Sequence, residues 1–179
     1  MKKFRCLIID TMPKGDSPYE GEIVKSFMKN LGWDVRLVMK PPKNRVLKEL
    51  YGGYKYDIIH LACHGDKDRI PNRSGWITVR EVEAFFKARL KEDQIHLDDT
   101  KLVMNTGCYT GKEKWVKLFL DELRAQNYIA PQGDVKEIEE GILFPLTFYM
   151  RFATSKKVKT AYDYARKHYK CSGDWILAP

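Results

Sequence analysis

Four short apolar segments, each separated from the next by an amphipathic stretch, constrain the fold of this chain more than any other feature. They span residues 6–9, 35–39, 58–62 and 102–104. Their apolar residues are nearly continuous instead of alternating, which is typical of strands that are covered on both faces by helices. Two weaker segments, at 128–130 and 175–177, bring the predicted sheet to about six strands. The pattern therefore predicts a three-layer α/β/α fold with a mostly parallel sheet.

The segments between the strands carry helix signals. Ser17 is predicted to cap one helix that ends before Gly32, and Thr78 with Glu81 has the spacing of a capping box. Further helices are predicted at 45–51, 112–126, 134–152 and 156–169. Pro145 lacks a backbone donor and is expected to kink or divide the helix at 134–152. The segment 65–75 is rich in charge, proline and glycine, and we expect it to be a long surface loop.

Composition limits the class of protein. A length of 179 residues with 44% hydrophobic residues predicts a single domain over residues 1–179. No apolar run reaches the roughly 20 residues of a membrane helix, and no secretory signal is visible. The four cysteines lack the spacing of a disulfide scaffold, so we expect a reducing cytoplasm. A net charge of +8 makes an anionic partner worth testing, but no nucleic-acid-binding fold is recognisable.

Two predicted strands end in reactive side chains. The third is followed by His64, and the fourth by Cys108. In an open parallel sheet, functional groups collect beyond the carboxyl ends of the strands, so neighbouring strands would bring both residues into one crevice. A thiol has a pKa of roughly 8.5 and needs a nearby imidazole or helix N-terminus to form thiolate at neutral pH. The helix predicted from Lys112 begins close to Cys108, and together these features predict a Cys-His dyad.

Glycines flank both reactive residues. Gly65 follows His64, and Gly107 precedes Cys108. Glycine allows the two backbones to approach closely. The backbone amides of Gly65 and Cys108 are therefore the predicted donors to the oxyanion of a tetrahedral intermediate.

These motifs resemble those of the CHAT-type, caspase-like cysteine peptidases, which are related to caspases, separase and gingipains. The sequence His-Leu-Ala-Cys-His-Gly at 60–65 is similar to that family's histidine strand end, and Asn-Thr-Gly-Cys-Tyr-Thr-Gly at 105–111 is similar to its nucleophile segment. The segments 144–165 and 175–177 resemble its late helices and its closing tryptophan-containing edge strand. The resemblance spans nearly the whole chain.

The resemblance implies a caspase-hemoglobinase fold, with Cys108 as nucleophile and His64 as general acid/base. It implies a protein or peptide substrate, no obligatory third catalytic side chain, and no metal or organic cofactor. The chain departs from the family at Asn105 and Thr106, where small Ser-Ala residues are commoner. Many relatives carry additional modules that this sequence lacks, so regulation is expected to come from a separate protein chain, if it exists.

Several members of that family cleave after arginine or lysine, with an acidic pocket that pairs with the substrate side chain. For such a pocket the candidates are Asp10 and Asp134, followed by Asp66. Helix capping or simple solvation is the alternative for each of them. Cleavage after a basic residue is therefore an expectation that depends on the resemblance.

Other interpretations remain open for these residues. Cys108 alone fits a buried structural thiol. We expect His60 to be a core histidine and Cys63 to point away from His64, because side chains alternate along a strand. A zinc site built from both histidines and both cysteines is an alternative that this alternation disfavours. For the whole chain, the alternatives are a catalytically silent interaction module of the same fold and a basic nucleic-acid binder with salt-sensitive affinity.

Overall fold

The computed structural model describes residues 3–12, 20–93, 97–169 and 174–179. Its main sheet has six strands in the order β2-β1-β3-β6-β7-β8, and only β8 runs antiparallel to its neighbour. The strands are β1 (Arg5–Asp10), β2 (Asp34–Met39), β3 (Ile58–Ala62), β6 (Leu102–Asn105), β7 (Tyr128–Pro131) and β8 (Trp175–Ala178). The predicted α/β class and the mostly parallel six-stranded sheet are confirmed.

Within the described ranges, six α-helices flank this sheet. They are α1 (Glu20–Asn30), α2 (Lys43–Tyr51), α3 (Val79–Asp93), α4 (Glu113–Lys117), α5 (Phe144–Ser155) and α6 (Val158–His168). Residues from α2, α3 and α4 share one buried cluster with alternate strand residues such as Leu7 and Leu61. Residues from α1, α5 and α6 share a second cluster with the intervening strand residues, such as Ile8 and Met104. The sheet is therefore covered on both faces, which explains the unbroken apolarity of its central strands.

Some helix boundaries differ from those predicted. The Thr78–Glu81 capping box is present, with the Thr78 amide 2.8 Å from Glu81 Oε2 and the Glu81 amide 3.2 Å from Thr78 Oγ1. The helix predicted at 112–126 is shorter, because α4 passes into a π-helical turn at Leu118–Glu122. In place of the single helix predicted at 134–152, a π-helical segment at Glu137–Leu143 leads into α5. Pro145 lies in the first turn of α5, where its missing donor is tolerated. The predicted cap Ser17 lies outside the described residues.

The prediction that segment 65–75 is a long surface loop is wrong. Arg69–Asn72 (β4) and Gly75–Thr78 (β5) form an antiparallel hairpin. Ile70 and Ile77 face each other across this hairpin and are fully buried. This hairpin has too few apolar residues for the sequence pattern to distinguish it from a loop. Within the described ranges, no helix has both the length and the apolarity required to cross a membrane.

Candidate functional site

The carboxyl ends of β3 and β6 lie side by side. The two strands pair in parallel, with Leu61 opposite Asn105, and the Thr106 amide donates to the Leu61 carbonyl oxygen at 3.0 Å. The segments that carry His64 and Cys108 leave the sheet directly after this pairing. The predicted adjacency of the two strand ends is therefore present.

The two segments touch through their backbones. A methyl group on Gly107 would lie 3.0 Å from the His64 carbonyl oxygen, and one on Gly65 would lie 3.2 Å from the Cys108 carbonyl oxygen. Contacts this short leave little room for any larger residue at either glycine. The sheet and these glycines together hold the His64 turn against the Cys108 turn. Both His64 and Cys108 are half-buried.

The backbone amides of Gly65 and Cys108 lie in these touching turns. Within the described ranges, neither amide donates a hydrogen bond to another backbone group. Backbone amides in such turns are the usual donors to a developing oxyanion. This arrangement is compatible with the predicted oxyanion role.

The loop after β7 passes the Cys108 sulfur. The Val135 amide donates to Cys108 Sγ at 3.4 Å, and the Tyr109 amide donates to the Gly133 carbonyl oxygen at 3.0 Å. Tyr109 has a φ of 59°, a left-handed conformation that costs energy in a residue other than glycine. The turn that presents Cys108 is thus held from a third strand end as well.

Asp134 lies in that same loop, next to Val135, and its side chain is exposed. Its Oδ2 accepts a hydrogen bond from the Tyr109 hydroxyl at 2.9 Å. This bond raises the pKa of Tyr109, because the carboxylate favours the protonated hydroxyl. Of the three predicted acidic candidates, Asp134 is the one whose carboxylate is both exposed and bonded to the residue after Cys108.

Asp66 follows His64 by two residues. Its carboxylate accepts from the amides of Asp68 and Arg69, and Arg69 Nε lies 2.9 Å from Oδ2. Burial opposes the charge, but these bonds lower the pKa of Asp66 overall. Asp66 borders a cleft of about 950 Å³ that also reaches Tyr109. The other residues that line it are Lys67, Asp68, Arg69, Lys112, Glu113 and Lys114.

The Asp10 carboxylate contacts the first turn of α1. Asp10 is 1% exposed, and its carboxylate accepts hydrogen bonds from the Met12 amide at 2.9 Å and the Gly21 amide at 3.2 Å. Burial raises the pKa of Asp10 in spite of these bonds. Gly21 belongs to the first turn of α1, so these contacts give Asp10 the capping role that was its alternative.

His60 and Cys63 have structural partners. The two ring nitrogens of His60 lie 2.8 Å from the Tyr149 hydroxyl and 2.8 Å from Glu20 Oε1. Cys63 is buried, its thiol lies 3.3 Å from Asn105 Oδ1, and burial raises its pKa well above the ordinary value. His60 is the satisfied core histidine that the sequence predicts. Two of the four ligands of the alternative zinc site are therefore engaged by other groups.

Three polar residues around the nucleophile turn, Asn105, Thr106 and Glu20, have structural roles that the sequence analysis does not predict. Asn105 Oδ1 accepts from the Gly107 amide at 3.0 Å. The Thr106 hydroxyl lies 3.1 Å from Glu20 Oε2 and 3.0 Å from the Leu61 carbonyl oxygen. The change from apolar to polar residues at 105–106 is the available signal for the first two, and no local pattern marks Glu20.

Neither of two comparisons with known proteins assigns this site. No protein-family model matches the chain, and a search of the curated proteins finds no significant match. The assignment of the site therefore depends on its own residues.

Proposed function

We propose that the chain is a cysteine endopeptidase of the caspase-like, CHAT-type fold, with Cys108 as nucleophile and His64 as general acid/base. One observation supports this most strongly. The His64–Gly65 turn and the Gly107–Cys108 turn are in backbone contact at the carboxyl ends of two paired parallel strands. A thiol and an imidazole on touching turns, with two nearby amides, are the groups that acyl transfer to sulfur requires.

In the proposed reaction, His64 takes the proton of the Cys108 thiol, and the sulfur attacks the scissile carbonyl carbon. The amides of Gly65 and Cys108 donate to the oxyanion of the tetrahedral intermediate. His64 then gives its proton to the leaving amine as the C–N bond breaks, which leaves a thioester. Water, deprotonated by His64, attacks the thioester carbon, the C–S bond breaks, and the thiol is regenerated. These steps require no metal or organic cofactor.

The proposed substrate is a protein or peptide whose backbone lies along the cleft beside Tyr109. Asp134 is the favoured partner for a basic side chain before the scissile bond, since its carboxylate is exposed and lies in the loop that contacts Cys108. Asp66 is already paired with Arg69 and Asp10 caps α1, so both are weaker candidates. Cys6, Cys63 and Cys108 are free thiols, which agrees with the proposed cytoplasmic setting. Regulation by a separate chain remains part of the proposal.

The test is turnover of a diverse peptide library. Wild type should hydrolyse a subset of peptides, Cys108→Ala should abolish hydrolysis, and His64→Ala should lower kcat by about 10²–10⁴-fold because a general acid/base is lost. His168 is exposed on α6, so His168→Ala is the matched control and should retain activity. Absence of turnover by wild type, with a protein partner captured equally well by Cys108→Ala, would favour the silent interaction module instead.

A further inference from the structure

Four buried side chains form a continuous row of hydrogen bonds that ends at Thr106, two residues before Cys108. It runs from the Tyr149 hydroxyl to His60 Nδ1 at 2.8 Å, and from His60 Nε2 to Glu20 Oε1 at 2.8 Å. It continues from Glu20 Oε2 to Thr106 Oγ1 at 3.1 Å, and from Thr106 Oγ1 to the Leu61 carbonyl oxygen at 3.0 Å. The four side chains belong to α5, β3, the start of α1 and the turn after β6. None of the four is more than 5% exposed.

The donors and acceptors in this row admit one arrangement that satisfies every contact. If Glu20 is protonated, each of the four side chains donates one hydrogen in the direction from Tyr149 to Leu61, and each contact has one donor and one acceptor. If Glu20 is ionised and His60 is neutral, the Thr106 hydroxyl donates its one hydrogen to Glu20, and its 3.0 Å contact with the Leu61 carbonyl oxygen is left without a hydrogen. If Glu20 is ionised and His60 carries two protons, the Tyr149 hydroxyl accepts from His60. Its own hydrogen then has no acceptor among the described residues. An unpaired buried donor is costly.

The surroundings of Glu20 also disfavour its charge. Burial raises the pKa of Glu20 although His60 and Thr106 bond to it. The titratable groups that face it within the described ranges are Asp10 at the end of β1, His60, Cys63 after β3 and Tyr149 on α5. Of these, Asp10 adds a like charge, and His60 provides the hydrogen bond and favourable charge interaction that oppose burial.

The end of this row fixes the segment that carries the nucleophile. Thr106 stands two residues before Cys108, and the neighbouring Asn105 Oδ1 accepts from the Gly107 amide. Thr106 therefore ties the turn to α1 through Glu20 and to β3 through the Leu61 carbonyl oxygen.

We propose that Glu20 is a protonated, neutral positioning residue whose hydrogen bond to Thr106 sets the orientation of the Cys108 turn. The neutral row itself does not depend on the proposed peptidase function, whereas its effect on turnover rests on it. The row has no charge to be screened and no unpaired group, so it holds the turn in a single arrangement.

The experiment uses two matched pairs of variants in the full chain. Glu20→Gln keeps a donor and an acceptor in the shape of a neutral carboxylic acid, whereas Glu20→Leu keeps neither. Thr106→Ser keeps the hydroxyl, whereas Thr106→Val keeps only the shape. The measurements are the rate of Cys108 alkylation by iodoacetamide in the folded protein, kcat and KM for peptide hydrolysis, and the infrared carbonyl band of a protonated carboxylic acid at neutral pH.

The proposal predicts that Glu20→Gln and Thr106→Ser stay within about threefold of wild type in alkylation rate. Thr106→Val should lower the alkylation rate and kcat by about tenfold, equivalent to about 1.4 kcal/mol, with KM nearly unchanged. The protonated-acid band should be present in wild type and missing from Glu20→Gln. Glu20→Leu is expected to follow Thr106→Val if it folds.

Three results would overturn the proposal: no protonated-acid band in wild type, Glu20→Gln as impaired as Thr106→Val, or a Thr106→Val alkylation rate equal to that of wild type. The infrared measurement needs only wild type and Glu20→Gln, so it remains decisive if the other variants fail to fold. A wild type that alkylates normally but hydrolyses no peptide would contradict the peptidase proposal alone, because the alkylation series would still report on the position of Cys108.

Discussion

The nucleophile turn and the charged wall of the cleft beside Tyr109 are built from different interactions. Around Cys108, the turn is held by backbone contacts of Gly65 and Gly107 and by side chains that are buried, such as Asn105 and Thr106. Along the cleft wall, Arg69 pairs with Asp66 and Lys114 pairs with Asp68, and all four side chains are at least 39% exposed. Buried contacts fix geometry, whereas exposed ion pairs contribute little and are screened by salt.

This difference separates two tasks within one site. The groups proposed to react lie on the rigid side, where a displacement of 1 Å is expensive. The charged groups of the cleft wall lie on the adjustable side, where we expect substitutions to change recognition more than stability. We therefore expect the effects of substitutions to fall steeply from the turn to the cleft wall.

Gly107→Ala should have the largest effect. Its methyl group would lie 3.0 Å from the His64 carbonyl oxygen and 3.1 Å from Cys63 Sγ, so the turn must shift. We expect kcat to fall by about 10²-fold and the free energy of unfolding to fall by about 1–3 kcal/mol. Gly52→Ala is the control, since nothing lies within 4 Å of its added methyl group. Equal kcat values for the two variants would contradict the distinction between the rigid turn and its surroundings.

The pH dependence of stability probes the buried row. A carboxyl with a raised pKa binds a proton in the folded state that the unfolded state releases, so stability falls as pH rises from the ordinary pKa of 4.5 through the folded pKa of Glu20. While only the folded state holds that proton, the slope is about −1.4 kcal/mol per pH unit. Glu20→Gln should remove this contribution. Urea unfolding at a series of pH values measures it, and parallel curves for the two proteins would refute it.

Asp134→Asn addresses recognition. If its carboxylate pairs with a basic substrate side chain, KM for peptides with arginine before the scissile bond should rise by about tenfold, with kcat and the KM of neutral peptides nearly unchanged. Asp66→Asn is the comparison and should have a smaller effect, because Asp66 is already paired with Arg69. A uniform loss across all peptides would assign Asp134 to the turn instead of to specificity.

Lys114→Ala should have the smallest effect. It removes the ion pair with Asp68 on the exposed wall. We expect the free energy of unfolding to change by less than about 0.5 kcal/mol at physiological salt. Thermal unfolding at low and high salt provides the check. A loss of several kcal/mol would show that the wall is as strongly held as the turn.

Much of the fold could be predicted because its physical signal is local. Ile58–Ala62 and its neighbouring strands are apolar on both faces, and that pattern requires helices above and below a sheet. The hairpin at Arg69–Thr78 could not be predicted, because it depends on the packing of Ile70 against Ile77, and neither residue alone forms a strand pattern.

Of the candidate site, the sequence could predict only that two strand ends are adjacent. His64 and Cys108 follow soon after apolar strands, and those strands pair in parallel. Glu20 is separated from Thr106 by 86 positions, and no periodicity links a carboxyl in a helix start to a hydroxyl in a distant turn. The burial of Asp10 against Gly21 had the same non-local origin.

We propose that Cys108 is the activated thiol and that His64 is its partner. The most direct measurement is labelling of the folded protein with an acyloxymethyl-ketone peptide, followed by mass mapping of all four cysteines in wild type, His64→Ala and His168→Ala. We predict selective modification of Cys108 in wild type and His168→Ala, and at least tenfold slower modification in His64→Ala. Equal labelling of every cysteine, or a rate at Cys108 that does not depend on His64, would contradict the account.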